Sequence, residues 1–192
     1  MQSLEEAQKN HVNESPPFVI FNGRKYDLSH LLPQQITFNL AGNITIQAEC
    51  RFKSHCYTRE LEAGESAHNL LQINDDEGNI RFFCPQRYNL SLKLYGWMSG
   101  WCHNPCIMGR NYKHGIENWL VVEDEAGVQV KVAFSIEKHL SIPVGLMLWI
   151  RTTHPYDRSK PDVATRDNSF PFNTLAKTVA HTGKQPKPKV KK

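Results

Sequence analysis

The fold of this chain is decided by the stretch Val128-Gln-Val-Lys-Val-Ala-Phe-Ser-Ile136, where a large apolar residue occupies every second position. That period of two is typical of a β-strand with one buried face. A strand is predicted before it at Trp119–Glu123, across a turn at 124–127. Another is predicted after it at Leu146–Thr153, which is apolar on both faces like a central strand. These three consecutive strands predict an antiparallel meander.

The first half of the chain adds further strands and one ambiguous segment. Residues 36–40 and 44–52 alternate on either side of the turn Ala41-Gly42-Asn43, which predicts a hairpin. Residues 18–21, before Asn22-Gly23, and 80–84 also predict strands. Residues 85–98 fit either a strand or a helix, and we predict a helix because Pro85 suits a first helical turn. The fold class is therefore α+β, rich in strands, with few short helices.

The domain organisation follows from where these patterns begin and end. We predict a flexible N-terminal segment at 1–17, an α+β globular domain at 18–157 and a flexible basic tail at 158–192. The tail ends in Gly183–Lys192, which carries five lysines and no acid. Such a segment buries too little apolar surface to offset the entropy lost on ordering.

Charge and composition favour a cytoplasmic protein with no membrane partner. The longest apolar run, Val144–Ile150, is too short to span a bilayer, and residues 1–17 have no signal-like apolar core. Five cysteines, an odd number, indicate reduced thiols. The net charge is +4, but from Arg151 onward ten bases face three acids, so the first 150 residues carry −3. A nucleic-acid-binding domain usually has its basic surplus on the folded body.

The cysteines allow a structural zinc ion. Cys102 and Cys106 have a spacing that zinc sites tolerate, and Cys56, Cys84, His55 or His103 are available to complete four ligands. The competing interpretation is isolated reduced thiols, since Cys50 shares its parity with apolar neighbours and behaves as a small hydrophobe. Apart from zinc, we expect no cofactor.

Residues 96–115 are predicted to form an irregular loop in which aromatic and basic residues alternate. Trp97 and Trp101 precede Arg110 and Lys113, a combination able to stack on unpaired bases and contact phosphates. The competing interpretation is that both tryptophans close the end of the sheet core.

A metal-independent ribonuclease is the most specific enzymatic hypothesis. It requires a base for the ribose 2′-OH, an acid for the leaving oxygen and a cation for the phosphorane. His154 or His55 would be the base or acid, and Arg59, Arg87 or Arg151 would stabilise the phosphorane. Thr153 or Tyr156 would orient the phosphate. All of these residues follow predicted strands.

Several motifs together resemble a known family. They are Ser54-His-Cys-Tyr-Thr58, Ile80-Arg-Phe-Phe-Cys-Pro-Gln-Arg-Tyr-Asn-Leu-Ser91, Asn118-Trp-Leu120, Val132-Ala-Phe134 and Leu148-Trp-Ile-Arg-Thr-Thr-His-Pro155. This combination resembles small bacterial proteins often found on prophages and plasmids, some labelled stationary-phase adaptation proteins. That resemblance spans about residues 36–157 and implies no activity. The closing strand also resembles that of barnase/EndoU/colicin-type ribonuclease toxins, which implies a curved antiparallel sheet and RNA cleavage.

Two functional hypotheses follow. The first is a mobile-element-associated protein that acts on RNA as a toxin-like endoribonuclease, with an antitoxin as a further partner. The second is a non-catalytic interaction module that binds a protein through the segment 97–112, stabilised by zinc in one version.

Overall fold

The computed structural model of the protein describes residues 18–111, 115–157 and 169–186, with the backbone alone at 103, 107–111 and 115–117. Its strands are Phe18–Phe21 (β1), Arg24–Asp27 (β2), Gln34–Leu40 (β3), Ile44–Phe52 (β4), Thr58–Arg59 (β5), Gln72–Asn74 (β6), Ile80–Phe83 (β7), Pro105–Asn111 (β8), Gly115–Glu123 (β9), Gln129–Lys138 (β10), Gly145–Pro155 (β11) and Ser169–Pro171 (β12). Its α-helices are Pro85–Ser91 (α1), Leu94–Ser99 (α2) and Phe172–Thr182 (α3). The α+β class, rich in strands with few short helices, is confirmed.

The main sheet has seven strands in the order β12-β8-β9-β10-β11-β4-β3. The predicted meander β9-β10-β11 and the hairpin β3-β4 are both confirmed as antiparallel pairs. The sequence did not reveal that β11 pairs with β4 in parallel, with Trp149 opposite Arg51. This pairing joins segments about a hundred residues apart, so it brings the two halves of the chain into one sheet.

One face of this sheet carries the main core. Ile46, Ala48 and Cys50 of β4 are fully buried, as are Leu148 and Ile150 of β11. Helix α3 covers this face, and its Phe172 lies 5.0 Å from the ring centroid of Phe38. A second, smaller core lies under the sheet β5-β7-β6 and the hairpin β1-β2, and it contains Val19, Leu28, Tyr57, Phe83 and Tyr88.

The predicted boundary of the domain at residue 157 is wrong. Phe172, Leu175 and Val179 of α3 are buried in the core, and β12 extends the main sheet beside β8. The apolar positions of α3 recur every three or four residues, as on the buried face of an amphipathic helix. The prediction missed this helix because the residues before it are polar. Gly183 then ends the helix in the left-handed conformation at φ 68°. The predicted flexible segment 1–17 and residues 158–168 and 187–192 of the predicted tail lie outside the described residues.

Two further predictions concern the segment after β7. The helix predicted at 85–98 is confirmed, although it is split into α1 and α2, with Pro85 in the first turn of α1. The irregular loop predicted at 96–115 is wrong, because residues 94–99 are helical and 105–111 form β8. Trp101 in this segment is buried in the main core, and Trp97 packs against that core. Across the described part of the chain, no helix has the length and apolar character to cross a membrane.

Candidate functional site

A β-bulge in strand β11 orients two side chains of the candidate site. Thr152 pairs with Ala133 and Ile150 pairs with Phe134, which makes Arg151 the extra residue of the bulge. Beyond the bulge, Thr153 lies opposite Val132 and is fully buried. One extra residue in a strand redirects the neighbouring side chains, and bulges are common beside active sites for this reason. Here the bulge turns both Arg151 and Thr152 away from the main core.

His55 lies next to the bulge, in a single 3-10 turn at Ser54–Cys56 that follows β4. Its carbonyl oxygen accepts a hydrogen bond from Arg87 Nη1 at 3.2 Å and lies 3.4 Å from the hydroxyl of Thr152. Arg87 Nη1 also lies 3.1 Å from Thr152 Oγ1. Helix α1 and strand β11 therefore hold the backbone of His55 from two sides.

The imidazole of His55 is oriented by a carboxylate. Its Nε2 atom lies 3.2 Å from Oδ2 of Asp75, whose side chain is only 4% exposed. The backbone N–H groups of Glu77 and Asn79 donate to Oδ1 of Asp75 at 2.9 and 2.8 Å. With Nε2–H donating to the carboxylate, Nδ1 is the ring nitrogen left to accept a proton. Within the described chain, that Nδ1 makes no hydrogen bond.

The pKa shifts of His55 and Asp75 favour a neutral imidazole beside a charged carboxylate. Burial, and then the positive charge of Arg81, lower the pKa of His55, while the hydrogen bond to Asp75 opposes them. Burial alone would raise the pKa of Asp75, but hydrogen bonds from Asn79, His55 and Glu77 bring it to about 2. His55 is therefore uncharged at neutral pH and able to act as a base.

A shallow pocket opens beside His55. Its empty volume, including the open mouth, is about 280 Å³, and its lining consists of Lys53, Ser54, His55, Asp75, Asp76, Glu77 and Arg151. Lys53 Nζ forms an ion pair with Asp76 Oδ2 at 2.6 Å. The hydroxyl of Ser54 is buried and finds no hydrogen-bond partner in the described part of the chain. The pocket thus combines an imidazole, two cations and a buried hydroxyl with three carboxylates.

Two partly or fully buried arginines lie behind this pocket. Arg81 is 6% exposed and donates from Nε to Thr58 Oγ1 at 2.9 Å, with the exposed Glu60 at 3.4 Å from Nη1. Burial lowers the pKa of Arg87, and the nearby charge of Arg81 lowers it further. Among the described side chains, no carboxylate lies within ion-pair distance of Arg87. Arg87 therefore places a half-buried positive charge beneath the backbone of His55.

The structure brings together some of the predicted catalytic residues. His55 and Arg151 line the pocket, and Arg87 supports it from behind. Arg59 is not brought to the pocket, because Glu65 holds its guanidinium through both terminal nitrogens, with Nη1 at 2.5 Å from Oε2. Arg59 is thus a structural link between β5 and the loop that follows it.

The predicted residues beyond the bulge lie apart from the pocket lining. Thr153 faces the core, so its hydroxyl cannot orient a phosphate in solvent. His154 lies opposite Lys131 in the register, on the same side of β11 as Thr152. Tyr156 packs its ring against Trp119, with 5.8 Å between the centroids. Four residues of the site were not predicted as functional: Ser54, Asp75, Arg81 and Thr152. For Asp75, the sequence indicates only that residues 75–79 form a turn.

The predicted nucleic-acid-binding residues Trp97 and Trp101 do not lie on an exposed loop. Trp101 is fully buried, stacked 5.1 Å from Phe134 and edge-on to Phe172 at 5.3 Å. Trp97 is partly buried and packs against the same core. The packing interpretation is therefore confirmed for Trp101, because its ring fills the space between β10 and α3. The side chain of Arg110 and the whole of Lys113 lie outside the described residues.

The predicted zinc ligands do not form a cluster. Across the described ranges, no three His, Cys, Asp or Glu side chains are arranged to hold a metal ion. Cys56, Cys84, Cys102 and Cys106 are all buried free thiols. Burial raises the pKa of Cys56 and of Cys106 to about 12. The Sγ of Cys56 instead lies 3.6 Å from the carbonyl oxygen of Ile150.

Fold and site together define a β-rich α+β protein with a carboxylate-oriented histidine in the 3-10 turn that follows β4. The sequence model of the YjaZ family matches residues 17–180, and the chain belongs to that family. No curated protein and no solved structure matches the chain significantly. The predicted mobile-element origin, the ribonuclease likeness and the cytoplasmic location stay predictions.

Proposed function

We propose that this protein cleaves RNA without a metal ion, with His55 as the general base. The observation that carries the proposal is the His55–Asp75 pair, whose neutral imidazole stands beside the cations Lys53 and Arg151. A base of this kind contributes about 10²–10⁴-fold to a reaction that requires proton removal. The carboxylate fixes the ring and stabilises the imidazolium that forms, as in other His–Asp pairs.

The chemistry needs only these groups and one acid. His55 Nδ1 removes the proton of a ribose 2′-OH, and the oxygen attacks the adjacent phosphorus. The bond from phosphorus to the 5′-oxygen of the next nucleotide breaks, leaving a 2′,3′-cyclic phosphate. Arg151 and Lys53 stabilise the charge of the phosphorane. The leaving oxygen takes its proton from a water molecule, because the other predicted acid, His154, does not line the pocket.

The test is cleavage of a labelled single-stranded RNA by purified protein in the presence of a metal chelator. We expect His55→Ala to lower the rate by about 100-fold or more. His68→Ala is the matched control, because His68 is an exposed histidine in the 3-10 turn Ala67–Asn69 and does not line the pocket. A substrate with a single 2′-deoxyribose at the cleaved position should resist the wild-type protein. Intact RNA with wild-type protein would refute the proposal.

The interaction-module hypothesis receives less support. Its predicted surface, the segment 97–112, is helix and strand over its described part, and Trp101 is buried. A protein partner or an antitoxin stays a prediction to be tested by co-purification.

A further inference from the structure

The main sheet has a second face that the main core does not use. On β4, Ile46, Ala48 and Cys50 point into the core, so Gln47, Glu49 and Arg51 point the other way. On β11, Leu146, Leu148 and Ile150 are buried, so Met147 and Trp149 share that other side. We call the face that carries Arg51 and Trp149 the outer face. The outward side chains named on β4 and β11 are only partly buried or exposed.

Two cations lie over the ring of Trp149 on the outer face. Arg51 Cζ lies 5.3 Å and Lys53 Nζ 5.1 Å from the centroid of the Trp149 ring. Arg51 uses Nε to bind Glu49 at 2.7 Å, and its two terminal nitrogens make no hydrogen bond to the described residues. An aromatic ring with adjacent guanidinium and ammonium groups is the combination that holds an unpaired base and its phosphate.

This group is continuous with the candidate catalytic pocket. Lys53 and Arg151 line the pocket, and Arg151 is two residues beyond Trp149 on the same strand. A strand of RNA placed with one base on Trp149 would therefore bring a neighbouring phosphate to Lys53, Arg151 and the ring of His55.

A second cation–aromatic contact lies beyond the bulge on the same face. Lys131 Nζ is 4.6 Å from the Trp119 ring, and Lys131 is opposite His154 in the register. The carboxylates on this side include Glu49, paired with Arg51, Asp76, paired with Lys53, and the exposed Glu137, which is opposite Met147 in the register. These carboxylates reduce the net positive charge of the outer face. A nucleic acid bound here must therefore gain affinity from base stacking as well as from phosphate contacts.

We propose that the outer face binds single-stranded RNA, with Trp149 as the stacking surface between Arg51 and Lys53. This inference rests on the proposed function and names where its substrate lies. It replaces the predicted surface around Trp97 and Trp101. Binding by stacking tolerates sequence variation, because every base has a flat face, and it weakens as salt rises.

The experiment measures binding separately from cleavage. A labelled ten-nucleotide oligouridine is titrated with His55→Ala protein at low salt, and fluorescence anisotropy gives the dissociation constant. We expect the additional change Trp149→Ala to weaken binding at least about fivefold, whereas Trp149→Phe retains most of it. Trp97→Ala is the control, because Trp97 packs against the main core rather than on the outer face.

Arg51→Gln provides a second measurement that does not remove an aromatic ring. It should weaken binding and reduce the dependence of affinity on salt. The inference is overturned if Trp149→Ala, folded by circular dichroism, binds as tightly as its parent, or if a duplex RNA binds as tightly as the single strand. Binding without cleavage by wild-type protein would refute the proposed function alone. Cleavage that is indifferent to Trp149 would refute this inference alone.

Discussion

The Nη1 atom of Arg87 lies 3.2 Å from the carbonyl oxygen of His55 and donates a hydrogen bond to it. This contact joins helix α1 to the 3-10 turn that carries the candidate base. The same nitrogen bonds to Thr152 beside the bulge, so one guanidinium links three segments that are far apart in sequence. Arg87 is thus the residue that positions His55 against strand β11.

Arg87→Met should lower the free energy of unfolding by about 2–3 kcal/mol, because hydrogen bonds to a charged group are worth about 1.5–3 kcal/mol. Urea denaturation followed by tryptophan fluorescence measures the change. Lys177→Met, on the exposed side of α3, is the control and should change stability by less than about 0.5 kcal/mol. Equal stability of the two variants would contradict the positioning role.

The pKa of the His55 imidazole should reflect its burial and the charges of Arg81 and Asp75. Because burial and Arg81 lower its pKa, the midpoint should fall below 6.5, as seen in the NMR signals of the imidazole ring. Asp75→Asn should lower that midpoint further, since it removes the neighbouring negative charge that favours the imidazolium. A midpoint at or above 6.5 in the wild type would show that the ring is not held as described.

Asp75 should make the protein sensitive to acid. Its pKa falls from 3.8 to about 2 on folding, so the folded state gains stability from this group above pH 3.8. That stability is lost as the pH falls through about 2, and it amounts to about 2 kcal/mol. Urea midpoints measured between pH 5 and 2 should therefore fall less steeply in Asp75→Asn. Asn79→Ala, which removes the side-chain donor to Asp75, should give an intermediate slope.

The two tryptophans predicted to bind nucleic acid should differ in their effect on stability. Trp101→Ala removes a fully buried ring between Phe134 and Phe172 and should cost about 3–5 kcal/mol. Trp97→Ala should cost clearly less, because its ring is only partly buried. Thermal unfolding of both variants measures the two losses of stability. A Trp101→Ala protein as stable as Trp97→Ala would mean that Trp101 does not hold the core together.

The C-terminal boundary can be tested by truncation. A protein ending at residue 157 lacks β12 and α3, so it exposes Phe38, Trp101 and Phe134, and we expect it to be unfolded or aggregated. A protein ending at residue 186 keeps both elements and should melt cooperatively. Circular dichroism and gel filtration distinguish the two. A cooperatively folded 1–157 fragment would restore the boundary that the sequence indicated.

Local periodicity and turn residues are enough to predict most strands and hairpins of this protein. The alternation at 128–136 and at 36–52 specifies strands, because a strand with one buried face must present apolar residues at every second position. Turn residues such as Asn22-Gly23 then set the hairpins, and both turn residues adopt positive φ angles. His55, Arg87 and Arg151 were also identified as polar residues next to such elements.

Only the tertiary structure decided which of these residues meet. Strand β4 pairs with β11, the bulge leaves Arg151 out of register, and the turn at Asp75 presents its carboxylate to His55. The same packing buries Trp101 and holds Arg59 with Glu65. Local periodicity fixes which face of an element is buried. Which distant element covers that face depends on the free energy of the whole packed core, and that choice places the side chains of the site.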